Sequence, residues 1–155
     1  MTERSLLILL AAGGSLAALL GAFAFQYLGG LAPCHLCLLQ RWPHAAAILI
    51  GVLALAFRSR LLCWLGALAA LATAGIGAYH TGVERLWWPG PETCTGTSLA
   101  GISAQDLLDP TKTIAPVVRC DQVAWEMFGL SMASWNVILS LVLMLLWIAA
   151  ARRQP

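Results

Sequence analysis

Two cysteines, Cys34 and Cys37, stand in the stretch Ala32-Pro33-Cys34-His35-Leu36-Cys37-Leu38-Leu39-Gln40-Arg41-Trp42, with Arg41 four residues past the second. The spacing suits a dithiol that opens and closes as a disulfide, and it equally suits half of a metal site. A c-type haem is disfavoured, because Leu38 and not histidine follows the second cysteine. Pro33 suits the start of a helix, which places Cys34 in or near the first turn. A thiolate there is stabilised by the positive end of the helix dipole. Cys37 and Arg41 fall one turn apart on one face, so an anion at Cys37 has a permanent cation one turn below it.

The elements that must position these groups are apolar. Of the 155 residues 60% are hydrophobic and 10% charged, and the mean hydropathy is +0.81. A soluble domain is excluded on that balance, and the length allows one compact bundle without a second domain. The formal charge of +2 carries no argument for a nucleic-acid partner. Residues 5–40 hold no Asp, Glu, Lys or Arg, but Gly29-Gly30 and Pro33 interrupt them, so one span fits over residues 6–25. Glu3-Arg4 is too short and too weakly basic a flank for a signal peptide, and no small-residue cleavage site follows.

A short loop over 26–35 leads to a second span, 36–57, and a tight turn at Arg58-Ser59-Arg60 to a third, 61–82. Ala74 to Ala78 with Gly75 would let helices approach closely there. Residues 83–131 form a long polar loop that takes in six of the seven acidic residues and four of the seven prolines. Within it, Ser98–Leu108 is expected to lie as a short helix on the membrane surface or to be irregular. A fourth span, 132–151, closes at Arg152-Arg153. The expected fold is therefore an all-α membrane protein, a four-transmembrane-helix bundle with a long loop between the third and fourth helices, forming one integral membrane domain over 1–155.

Arg4, Arg58, Arg60, Arg152 and Arg153 all fall on one side of this arrangement, which the positive-inside rule makes the cytoplasm, with both termini there. Cys34, Cys37, Cys94 and Cys120 fall on the other. In a bacterium that side is the periplasm, where disulfides persist. Four cysteines allow three pairings; the natural resting state joins Cys34 to Cys37 and Cys94 to Cys120. Bridges that merely staple the loops are the plain alternative. They would not need a cation near a thiol, and an arginine costs roughly 2.5–3.5 kcal/mol at the bilayer centre, less near the interface. Arg41 could otherwise snorkel to the interface. Cys63, at the cytoplasmic start of the third span, reads as a buried free thiol without a catalytic part.

The remaining polar and aromatic residues have plainer readings. His44 lies deeper in the second span and reads as a packed, hydrogen-bonded core histidine, and Glu84 is assigned no role. His35, inside the cysteine pair, could favour a thiolate. Trp87, Trp88, Trp125 and Trp135 suit an aromatic belt at the outer boundary, although Trp135, with Asn136 at the start of the fourth span, could instead support the bundle interior. Asn136 suits a helix-to-helix hydrogen bond.

In this order the motifs resemble a family, the bacterial inner-membrane disulfide-bond formation protein B, DsbB. The resemblance rests on Phe25-Gln26-Tyr27, Pro33-Cys34-His35-Leu36-Cys37 with Arg41, Tyr79-His80, the second pair Cys94 and Cys120, and Cys120-Asp121 leading to Gly129-Leu130-Ser131-Met132-Ala133-Ser134-Trp135. It implies a thiol:quinone oxidoreductase in the bacterial inner membrane that reoxidises a periplasmic DsbA-type thioredoxin-fold oxidase and passes the electrons to a membrane quinone, ubiquinone or menaquinone. Cys94 would be attacked by the partner's thiolate and Cys120 freed to attack Cys34, leaving Cys37 as the thiolate that donates to the quinone ring. Arg41 would hold Cys37 anionic and polarise a quinone oxygen, and His80 matches a family histidine associated with quinone, the plainer reading being a helix-end histidine capped by water. A resident metal is not implied.

Two rivals predict different things. A non-catalytic metal-binding membrane protein would use the cysteines and histidines as ligands and be isolated as thiols with zinc or copper. An enzyme of vitamin K epoxide reductase type would place the active pair on a later helix, after the loop cysteines, whereas here the pair opens the second span.

Overall fold

The computed structural model describes residues 2–91, 94 and 118–153. Among them four helices are long and apolar enough to cross a membrane. They are α1 (Glu3–Tyr27), α2 (His35–Phe57), α3 (Arg60–Glu84) and α4 (Met132–Arg152). Each extends the expected span by one to three residues at one or both ends, because caps and polar first turns are helical although they add no hydropathy. The expected surface helix at Ser98–Leu108 lies outside the described residues.

Local chemistry sets the helix ends. Thr2 caps α1 by accepting from the Ser5 N–H, and Ser131 caps α4 by accepting from the Ser134 N–H. Cys34 caps α2, its sulfur accepting from the Cys37 N–H at 3.3 Å. Arg58 closes α2 in the left-handed region at φ 51°. Between α3 and α4 a two-residue hairpin pairs Glu126 with Ser131 and Met127 with Leu130. Phe128 and Gly129 turn it with φ of 54° and 73°, the double-positive pattern of a tight hairpin.

In the bundle α1 neighbours α2 and α4, and α3 neighbours the same two, so α1 and α3 stand diagonally opposed. The usual sorting of a soluble protein is inverted. Leu20, Trp42, Leu49, Leu68 and Leu145 point outward, while Ser15, Gln40, His44, Thr73, His80, Ser134 and Ser140 are buried. Lipid solvates the first set; the second must find partners inside. At the end away from the cysteine pair, Trp147 is wholly buried among Ala11, Ala54, Ala67 and Ala150. Its ring lies on Gly66, where an added Cβ would stand 2.5 Å from it. Close approach in α3 is thus made at Gly66 and at Gly77, where a Cβ would meet Val137 at 3.0 Å. It is not made at the expected Gly75, which faces open space. The same end carries a buried arginine: Arg4 donates to the Arg58 carbonyl at 2.8 Å and to Cys63 Sγ at 3.6 Å.

Candidate functional site

At the opposite end, Cys34, Leu36, Val83, Cys94 and Cys120 form one buried cluster, with Cys37 packed against it. The start of α2 brings Cys34 and Cys37, the end of α3 brings Val83, and the loop beyond α3 brings Cys94 and Cys120. Cys94 and Cys120 are joined as a disulfide, and the Cys120 N–H donates to the Cys94 carbonyl at 3.1 Å. Beside it, on the surface, Arg119 grips Asp121 through both carboxylate oxygens. That guanidinium holds the Asp121 carboxyl below its ordinary value.

In the first pair the sulfurs of Cys34 and Cys37 lie 3.0 Å apart without a bond between them. The Cys34 sulfur is engaged otherwise, capping α2 and donating its proton toward Cys37. That hydrogen bond, and then burial, push the Cys34 thiol's pKa up, so Cys34 keeps its proton and Cys37 is the acceptor. The two pairs thus stand in one cluster, the arrangement in which thiol–disulfide exchange can pass between them.

Cys37 also lines a cavity of about 480 Å³. Ala18, Gly21 and Ala22 of α1 give it a wall of small residues, and Trp125, Trp135 and Leu139 close other sides. Among the described residues its polar lining is Cys37, Gln40, Arg41, His44, His80 and Asn136. Arg41 does not use its hydrogen bond on Cys37. It donates to Gln26 Oε1 of α1 at 2.6 Å, and its guanidinium stands 4.9 Å from the centre of the Phe23 ring, while its Nε is buried without a partner. Gln26, quoted above only within a motif, is therefore the residue that aims the cation.

His80 is the hub that sequence reasoning underrated. Its Nε2 lies 3.5 Å from Cys34 Sγ and 3.7 Å from Glu84 Oε1, and its Nδ1 lies 3.1 Å from Gln40 Nε2. Glu84, given no role above, is buried there with Oε2 unpartnered. Gln40 is the other omission. A glutamine in an apolar span, one turn from Cys37 and with Asn136 and Thr73 in other spans, was the available signal of a shared polar layer. Asn136 fills the helix-joining role expected of it, donating to Gln40 Oε1 at 2.6 Å and to Thr73 Oγ1 at 3.1 Å. His44 is packed and hydrogen-bonded as expected, at 2.9 Å from Asn136 Oδ1, but it also lines the cavity. Trp125 and Trp135 do more than belt the outer boundary: Trp125 packs at 5.3 Å on Phe25, and both line the cavity.

Cys34, Cys37 and His80 hold three donor atoms within 4.8 Å of one another, close enough to share a metal ion. The hydrogen-bond directions oppose it. Gln40 Nε2 donates to the Leu36 carbonyl and to His80 Nδ1, so the imidazole proton sits on Nε2, the nitrogen that faces the thiols. A metal bound there would have to displace that proton as well as the one on Cys34.

Comparison with known proteins agrees with this geometry. The family described as disulfide bond formation protein DsbB matches residues 3–150. Disulfide bond formation protein B 2 of Pseudomonas aeruginosa is 33% identical over 133 residues, covering 81% of this chain and 78% of the relative. Disulfide bond formation protein B of Dechloromonas aromatica is 33% identical over 124 residues, 75% of this chain and 73% of the relative. The protein of that name from Pasteurella multocida is 29% identical over 142 residues, with 85% and 79% covered. No solved structure matches the chain.

Proposed function

The chain belongs to the DsbB family of membrane oxidoreductases of disulfide formation, and we propose that it is a thiol:quinone oxidoreductase, drawing electrons from a DsbA-type thioredoxin-fold oxidase. The observation that carries this reading is the contiguity of three parts: the Cys94–Cys120 disulfide, the Cys34/Cys37 dithiol in the same buried cluster, and the cavity that Cys37 lines.

The cavity suits a quinone. Its volume is in the range of small-molecule sites, its lining is largely apolar, and two buried polar atoms of its lining residues, Arg41 Nε and His44 Nδ1, lack partners. Arg41 would donate to one ring oxygen, and His44, when protonated, to the other. A quinone bound there supplies a two-electron acceptor. On the protein side, the partner's thiolate attacks Cys94 and forms a mixed disulfide, which releases Cys120 as a thiolate. With the first pair oxidised, Cys120 attacks Cys34 and expels Cys37 as the thiolate. Arg41, held by Gln26 and Phe23, keeps a positive charge on the Cys37 side of the cavity.

The clustering of Arg4 and Arg58 at one end and the cysteine pairs at the other supports the orientation in which the termini are cytoplasmic and the cysteines periplasmic, in the inner membrane of a bacterium. The test is anaerobic mixing of the purified protein with a quinone and a reduced thioredoxin-fold dithiol. Quinol and oxidised dithiol should appear in equal amounts. Thiols that stay reduced, with zinc retained by the protein, would overturn the reading in favour of a metal-binding role.

A further inference from the structure

The polar layer across the bundle has its proton positions set by two backbone carbonyls, which can only accept. The Leu36 carbonyl receives one hydrogen of Gln40 Nε2 at 3.2 Å, so the Gln40 amide is oriented with Oε1 toward Asn136, and the second hydrogen goes to His80. The Gln40 carbonyl receives the Thr73 hydroxyl proton at 3.3 Å, so Thr73 Oγ1 must accept, and the group that donates to it is Asn136 Nδ2. Asn136 Oδ1 is then turned to His44, with Ser140 Oγ donating to it as well at 3.4 Å. His44 Nε2 must donate to that oxygen. Its Nδ1 is left bare, buried and unpartnered in a residue that lines the cavity.

The reaction needs a second proton that the dithiol does not carry. With Cys34 as a thiol and Cys37 as a thiolate, closing the Cys34–Cys37 bond releases two electrons and one proton, whereas reduction of a quinone to a quinol takes two of each. We propose that His44 is a further catalytic residue of the quinone step, giving the second proton from Nδ1 to a ring oxygen and then accepting a hydrogen bond from the hydroxyl so formed. The balance is Cys37 thiolate, Cys34 thiol, quinone and His44 imidazolium giving the Cys34–Cys37 disulfide, quinol and neutral His44. Electrons, protons and charge all close.

The other groups around the cavity do not compete for the role. Among the described residues lining it, α1 and α4 present no titratable side chain, α3 presents His80, and α2 presents Cys37 and Arg41 besides His44. Arg41 does not release a proton at any working pH. The His80 proton is directed at Cys34 and Glu84, at 3.5 and 3.7 Å. Asn136 is the positioning residue, because its Oδ1 holds the other His44 nitrogen and so keeps Nδ1 for the cavity.

This inference rests on the quinone reading above, and the two fail differently. Quinone and quinol affinities are to be followed by quenching of the cavity tryptophans, Trp125 and Trp135, alongside quinol formation across pH, in wild type, His44→Gln and His44→Phe. Wild-type quinone affinity and turnover should fall as pH rises and the imidazolium is lost, while quinol affinity should not fall. His44→Gln, which keeps a donor for Asn136, should flatten the pH dependence of quinone affinity and lower turnover about 100-fold, at the low end of what a positioned acid contributes. Exchange of a reduced thioredoxin-fold dithiol with Cys94–Cys120 should be unchanged in both variants, which checks that they are folded. Wild-type turnover and pH profiles in both variants would overturn the proposal. A wild type that binds no quinone would overturn the quinone reading itself.

Discussion

The two ends of this bundle are built from the same helices by opposite rules. Around Trp147 the contacts are small against large: alanines and Gly66 accept one indole, and even its Nε1 has no partner. Around Asn136 side-chain amides, hydroxyls and imidazoles hold the helices together, and a cavity is left beside them. Lipid provides no hydrophobic force to join helices, so each end needs its own adhesive, close packing in one and hydrogen bonds in the other. The first kind can be dry and tight. The second tolerates a hole, and the redox groups are found beside it.

The sharpest break between the ends should come from the cysteines. Cys37→Ser is expected to abolish quinol formation entirely, whereas Cys94→Ser should block reaction with the protein partner and leave the Cys34/Cys37 pair able to react with quinone. Stopped-flow quinol formation from a small dithiol separates the two; full turnover in both variants would erase the division of labour. At the Trp147 end, Gly66→Ala forces a methyl into the indole ring and should cost about 1–3 kcal/mol, the usual range for overpacking. A lower unfolding midpoint with normal quinol formation at low temperature is the expected pair of results, and an unchanged midpoint would mean that Trp147 does not pin α3 to α4.

Arg41→Met should weaken quinone binding roughly tenfold, about 1.4 kcal/mol, with partial recovery in Arg41→Lys, which keeps the charge but not the planar fork. Equilibrium titration with quinone reads this, and equal affinities in all three proteins would reduce Arg41 to an anchor. The smallest effect is expected at Cys63→Ala, across the bundle from the other cysteines. Turnover should be unchanged, because Arg4 keeps its hydrogen bond to the Arg58 carbonyl.

The four spans were legible because hydropathy and the Gly29-Gly30, Pro33 and Arg58 interruptions act locally along the chain. The cysteine grouping was legible because cation placement assigns sides. Gln40 and Gln26 were not, since a lone glutamine in an apolar run has a role only through its partners, and those come from other helices, His80 and Asn136 for one and Arg41 for the other. Arg4 was read as a weak flank for the same reason: its burial depends on Arg58 and Cys63, more than fifty residues away. Within the Ala74–Ala78 stretch the close approach falls at Gly77 and not at Gly75, and a second falls at Gly66 outside it, because composition marks a small-residue stretch without saying which way each residue faces. The state of Cys34 and Cys37 is no property of sequence at all, since the same two residues serve as dithiol and as disulfide.

Cys94 and Cys120 are both fully enclosed, with no exposed surface. Their bond is therefore an insulated terminal. A small thiol drifting past in water gains nothing that would offset uncovering it, while a protein that docks on the surrounding loop can draw on its contact area to do so. Burial thereby holds down exchange with stray thiols, and the bond reacts only with a group that can uncover it.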